Sequence, residues 1–125
     1  MNKLANQMLI IFGASGDLTA RKLIPALYNL YKGQHLPEHF VVLGASRSDM
    51  TDEDFRDNVV RKSSYLAEEL NGAEKQHVED FADKLFYEDL GDTYETDFDK
   101  LSRRIASLNK KFKTGSVNAV ATKAT

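Results

Sequence analysis

The run Met8-Leu9-Ile10-Ile11-Phe12, followed at once by Gly13-Ala14-Ser15-Gly16-Asp17-Leu18, constrains this 125-residue chain more than any other feature. An apolar stretch without alternation suits a strand covered on both faces of a parallel sheet. Gly13 and Gly16 then bracket a strand-to-helix turn, where glycine permits positive φ and leaves no Cβ between backbone and a phosphate. The amides of Ser15 to Leu18 would open a helix and add its dipole to an anion site. That is the local architecture of a dinucleotide pyrophosphate cradle. The spacing is G-x-x-G-x-x-T, with Thr19 at the third small position, and no Gly-Lys-Ser/Thr follows, so a P-loop is excluded. A plain turn between strand and helix in an unrelated α/β protein is the competing reading at this point.

The remaining elements follow from periodicity. A first strand is predicted at Gln7–Phe12. A helix over Leu18–Lys32 should bury Leu23, Ile24, Leu27, Tyr28 and Tyr31 on one stripe, with a kink or an irregular first turn at Pro25 and a stop at Gly33. Phe40–Gly44 reads as a second strand. Thr51-Asp52-Glu53-Asp54 is a helix start, its hydroxyl capping and its acids favouring the dipole, and that helix should run to Leu70 before Asn71-Gly72. A shorter helix is expected at Ala73–Lys84. A short third strand at Leu85–Tyr87 would end at the Asp89–Asp92 turn. A last amphipathic helix is marked by Phe98, Leu101, Ile105, Leu108 and Phe112. This order is the first βαβαβα half of a doubly wound, partial Rossmann α/β domain. The expected division is a domain over 1–115 and a loose C-terminal tail over 116–125, small and polar.

Composition narrows the partners. With 42% hydrophobic and 29% charged residues the chain is an ordinary globular domain, and a net charge of −2 gives no reason to expect nucleic acid or an anionic membrane. The absence of cysteine removes disulfides and thiolate metal sites, and no segment approaches bilayer-spanning length. A cytoplasmic location is the expectation. His35, His39 and His77 show no metal-ligand spacing and read as structural or solvated.

The end of the second strand discriminates between cofactors. A site for NAD places an Asp or Glu there for the ribose 2′-hydroxyl, whereas NADP calls for an arginine that forks onto the 2′-phosphate. Here the segment is Gly44-Ala45-Ser46-Arg47-Ser48-Asp49. Arg47 is the candidate 2′-phosphate ligand, with Ser46 or Ser48 as added hydroxyl donors. The competing reading is a solvated loop arginine.

Ile11-Phe12-Gly13-Ala14-Ser15-Gly16-Asp17-Leu18-Thr19-Ala20-Arg21-Lys22-Leu23-Ile24-Pro25-Ala26-Leu27-Tyr28 resembles, almost residue for residue, the opening signature of the glucose-6-phosphate dehydrogenases. Ala45-Ser46-Arg47-Ser48 is similar to that family's 2′-phosphate loop, and the resemblance covers about Leu9 to Gly115. It implies NADP held by Gly13, Ala14, Ser15, Gly16, Asp17, Leu18 and Arg47, with Lys22 near the sugar phosphate, though Lys22 also reads as a solvated helix residue. It further implies oxidation of glucose 6-phosphate to 6-phosphogluconolactone in the oxidative pentose phosphate pathway, by a homo-oligomer. The family's later Glu-Lys-Pro and Arg-Ile-Asp-His-Tyr motifs, the latter carrying the histidine base, have no counterpart here. The chain therefore reads as truncated and not catalytic alone. Its fourth strand is expected to be missing, Ser116–Thr125 being a poor substitute, which would leave Leu9–Phe12 as an apolar edge prone to self-association. The alternatives are a non-catalytic nucleotide-binding module and a ligand-free α/β interaction domain.

Overall fold

A computed structural model describes residues 5–91 and 99–121. Strand β1 (Gln7–Phe12) and strand β2 (Phe40–Ser46) are joined by helix α1 (Ile24–Lys32). Helices α2 (Asp52–Arg56), α3 (Ala67–Leu70) and α4 (Lys75–Ala82) lead to strand β3 (Leu85–Asp89), and α5 (Asp99–Phe112) leads to β4 (Ser116–Ala121). All strand pairings are parallel, and the sheet order is β3-β2-β1-β4. This is the half-Rossmann α/β arrangement read from the sequence.

The strands sort their side chains by the period-2 rule. Ile11 and Val42 join Ile24, Tyr28, Phe55 and Phe81 on the face covered by α1, α2 and α4. Met8, Ile10, Val41 and Leu43 meet Leu101 and Leu108 of α5 on the other. Every residue of β2 is buried, which explains its unbroken apolar run. The open edge of β3 is covered by α2: Asp52 Oδ1 accepts from the Tyr87 amide at 2.8 Å, and Arg56 Nε donates to the Leu85 carbonyl at 2.8 Å. Two side chains thus satisfy backbone groups that an edge strand would otherwise present to other chains.

Several expectations need correction. Residues 116–121 are not a loose tail. They form β4, in register with β1 from Gln7↔Ser116 to Phe12↔Ala121, so β1 is a central strand and no apolar edge is left there. The turn before β4 accounts for this. Lys113 and Gly115 take φ of 56° and 75°, and Asn109 Oδ1 accepts from Thr114 Oγ1 at 2.8 Å and the Gly115 amide at 2.7 Å. That side chain turns the chain end of α5 back toward β1. Once there, any residue but proline can make the ladder bonds, so weak strand propensity does not forbid pairing. Residues 122–125 of the expected tail, with Asp92 and Phe98, lie outside the described residues.

The long helix expected over 51–70 is broken. After α2 the chain widens into a π-helical turn at Asp57–Arg61, stops, and restarts at a 3₁₀ turn, Ser64–Leu66. Ser63 causes the restart, its hydroxyl accepting from the Tyr65 amide at 3.3 Å. The capping at Thr51 is as expected, with Asp54 completing a reciprocal capping box. The irregularity expected near Pro25 lies just before it, as a π-helical segment over Thr19–Leu23, and Pro25 itself sits in the first turn of α1, where its missing amide proton costs no helical bond.

Candidate functional site

The C-terminal ends of β1, β2 and β3 converge on the glycine turn, where an open parallel sheet places its ligand. Gly13 has φ 76°, a conformation that a Cβ would strain, and its amide donates to the Ala45 carbonyl at 2.8 Å. Ala14 is buried, its amide 3.4 Å from the same carbonyl. The turn is therefore fastened directly to the end of β2. Gly16 is not in the left-handed region expected of it. Its amide closes the turn onto the Gly13 carbonyl at 2.9 Å, and a Cβ on Gly16 would sit 3.2 Å from that oxygen. Gly16 serves close approach within the turn rather than positive φ.

β2 must itself yield to the turn. A Cβ on Gly44 would lie 2.7 Å from the Ala14 Cβ and 2.9 Å from Phe55 Cζ, so glycine is what lets the turn sit on the strand. Sequence reading gave Gly44 no such role, since its neighbours come from elements remote in the chain.

The polar residues divide into inward and outward groups. Asp17 is exposed, and its carboxylate accepts from Arg21 Nε at 2.7 Å and from the Tyr65 hydroxyl at 3.2 Å. The Arg21 hydrogen bond holds the Asp17 carboxyl below its ordinary pKa. Leu18 and Lys22 are exposed on the opening of the helical run. Arg47 is exposed directly after β2, as is Ser48. Ser46 is buried, and its hydroxyl faces inward. Its Oγ lies within hydrogen-bond distance of Ser15 Oγ, at 2.9 Å, and shares a short hydrogen bond with the Tyr87 hydroxyl, whose own proton goes to the Ser48 carbonyl at 2.7 Å. Of the two serines considered as phosphate donors, Ser46 is thus engaged within the protein and Ser48 is presented outside. Burial raises the Tyr87 phenol above its ordinary pKa, so it is a neutral donor at physiological pH.

The histidines lie elsewhere. His39 immediately precedes β2, and its carbonyl accepts from the Gln7 amide at 3.1 Å, at the opposite ends of these strands from the glycine turn. His35 follows the C-terminus of α1, its ring close beneath Gly33. The His77 ring packs 4.7 Å from that of Tyr31, in the last turns of α1. Among the described residues no cluster of histidine and carboxylates could hold a metal ion. No described helix is long and apolar enough to cross a membrane.

A parallel 3-2-1-4 sheet with a glycine turn between its central strand and a helix defines a dinucleotide-binding α/β domain. Comparison with known proteins narrows this. Residues 10–124 match the family model described as "Glucose-6-phosphate dehydrogenase, NAD binding domain", and the chain belongs to that family. Its cofactor class is accordingly a nicotinamide dinucleotide. The match runs past Gly115 and includes β4. A glucose-6-phosphate 1-dehydrogenase of Aggregatibacter actinomycetemcomitans is 41% identical over 112 residues, covering 90% of this chain and 22% of that protein. A solved glucose-6-phosphate dehydrogenase in complex with its substrate glucose-6-phosphate superposes with TM-score 0.73 at 27% identity, over 97% of this chain and 24% of that one. The enzyme from Mycobacterium avium shares the fold, with TM-score 0.69 at 22% identity over 95% of this chain and 24% of that one. The chain thus spans between a fifth and a quarter of the length of these relatives.

Proposed function

We propose that this chain is the coenzyme-binding part of a glucose-6-phosphate dehydrogenase that uses NADP. The observation that carries the reading is the glycine turn fastened to β2 beside an exposed arginine, with no acid in the 44–48 segment. Gly13, Ala14, Ser15, Gly16, Asp17 and Leu18 would hold the pyrophosphate. Because the Gly16 amide is spent on Gly13, the donors for the anion are the amides of Ser15, Asp17 and Leu18, at the positive end of the helical run. The Asp17 carboxylate is turned to Arg21 and Tyr65, which keeps its charge occupied beside an anion site. Arg47 would read the 2′-phosphate through its planar fork, with Ser48 adjacent.

The nicotinamide, when bound, supplies the hydride acceptor, and the substrate is glucose 6-phosphate oxidised at C1. Lys22, exposed on the first helical turns, is the residue of this chain offered to the sugar phosphate. A base must take the hydroxyl proton, and His35, His39 and His77 all lie away from the glycine turn. These residues therefore bind and orient the cofactor without completing catalysis, and on this reading the protein acts as a homo-oligomer in the cytoplasm. A non-catalytic nucleotide-binding module would use the same contacts.

The test is calorimetric titration of the purified chain with NADP and NAD, together with an assay for NADPH formation. Preferential NADP binding without turnover is expected. Equal affinity for the two, or turnover free of host enzyme, would overturn the reading.

A further inference from the structure

Tyr87 stands on β3 opposite Gly44 of β2, and its ring packs against Phe55 at 5.3 Å between centroids. It is buried, 3% exposed, so packing fixes its direction. Its hydroxyl reaches beyond the end of β2 and bonds both neighbours of Arg47: the Ser46 hydroxyl and the Ser48 carbonyl, the latter at 2.7 Å. The Ser48 amide also leans on Ser46 Oγ at 3.4 Å. Through Ser46 the same phenol reaches Ser15 of the glycine turn, at 2.9 Å. One rigid side chain therefore ties the loop that carries Arg47 to the loop that would carry the pyrophosphate.

We infer that Tyr87 is the positioning residue for recognition of the 2′-phosphate, acting through the backbone on either side of Arg47. The inference rests on the NADP reading above. An arginine on an untethered loop would have to order its own backbone on binding, a cost that falls on affinity. Anchoring residues 46 and 48 removes most of that cost before the ligand arrives. Phenylalanine at position 87 keeps the ring but releases both anchors, so affinity should fall for ligands that need Arg47 and not for others. The neighbouring Glu88 and Asp89 do not substitute. Glu88 is paired with Arg104 and Lys100, and the Asp89 carboxylate accepts from the Gly91 amide at 2.8 Å.

The experiment titrates 2′,5′-ADP and 5′-AMP into the parent chain, Tyr87→Phe, Arg47→Ala and the double variant. The parent should prefer 2′,5′-ADP, and Arg47→Ala should erase the preference. A parent without preference refutes the NADP reading itself. Given a preference, Tyr87→Phe should weaken 2′,5′-ADP about tenfold, equivalent to about 1.4 kcal/mol, and leave 5′-AMP within twofold. The double variant should bind 2′,5′-ADP no more weakly than Arg47→Ala alone. Unchanged 2′,5′-ADP affinity in Tyr87→Phe, or equal losses for both ligands, would overturn the positioning role. Should Tyr87→Phe fail to fold, Ser46→Ala keeps the phenol and its Ser48 bond but cuts the link to Ser15. It should show the same selective loss at smaller size, and equal losses for both ligands would again overturn the proposal.

Discussion

Gly44→Ala is the substitution whose cost the structure specifies most closely. The added methyl would meet the Ala14 Cβ at 2.7 Å and Phe55 Cζ at 2.9 Å, where ordinary contact begins near 3.4 Å. Neither neighbour has room to retreat. Phe55 is fully buried with its ring against Tyr87, and Ala14 is part of a turn bonded to the Ala45 carbonyl. Relief of about 0.7 Å must come from the turn lifting off β2 or the ring leaving its rotamer. Overpacking of this kind costs about 1–3 kcal/mol, or roughly 5–15 °C in melting temperature for a domain of this size. Because the displaced residue lies between Gly13 and Ser15, dinucleotide affinity should fall about tenfold or more as well. Gly72→Ala is the control. Its φ of 82° makes alanine strained, yet nothing lies within 4 Å of the added methyl, so it should lose about 1 kcal/mol and leave binding intact. Thermal melts with calorimetric titration of NADP read both quantities. A Gly44→Ala chain that melts within about 1 °C of the parent and binds NADP equally would refute the claim that the turn needs glycine beneath it.

Three further outcomes follow from the same geometry. The Tyr28 hydroxyl is fully buried without a partner among the described residues, so Tyr28→Phe should stabilise the fold by about 1 kcal/mol; a lower melting temperature would count against this. Arg61 hydrogen-bonds Glu79, Asp57 and Glu53, and each carboxyl sits below its ordinary value, Glu53 chiefly through Arg56 and then Arg61. Carboxylates depressed by folding contribute stability above their unfolded values and lose it as pH falls through the folded ones. Arg61→Gln should therefore be less stable than the parent at pH 7. In urea titrations the two should converge as pH drops below the ordinary 3.8 and 4.5 of these groups, and a pH-independent difference would contradict the pairing. Hydrogen exchange should show continuous protection across Met8–Phe12 and alternate protection in Val117–Val120, as befits a central strand and its edge partner. Uniformly fast exchange over 116–121 would return that segment to a loose tail.

The opening strand, the turn and the helix after it were legible because their signals are local. An apolar run, a glycine at the strand end and a stripe at helical spacing each refer only to near neighbours. β4 was not legible for the opposite reason. Ser-Val-Asn-Ala-Val-Ala has little strand character of its own, and its pairing depends on Asn109 turning the chain back toward β1. The break in the helical run after Arg61 hinges on Ser63, whose hydroxyl prefers a local amide, a competition that periodicity does not register. Arg47 was visible as an arginine past a strand. What holds it was not, because the Tyr87 hydroxyl reaches Ser48 only through the β2–β3 register, which pairs Gly44 with Tyr87. Side chains that act across strands become readable once the register is known.

The most direct test of the NADP assignment is the ratio of 2′,5′-ADP to 5′-AMP affinity in the parent chain and in Arg47→Ala. A charged hydrogen-bonded contact to phosphate contributes about 1.5–3 kcal/mol, so the parent should favour 2′,5′-ADP by roughly 10- to 150-fold. Arg47→Ala should bring the ratio near unity while 5′-AMP affinity stays unchanged. A parent ratio near unity, or a preference that survives the loss of Arg47, would contradict the assignment.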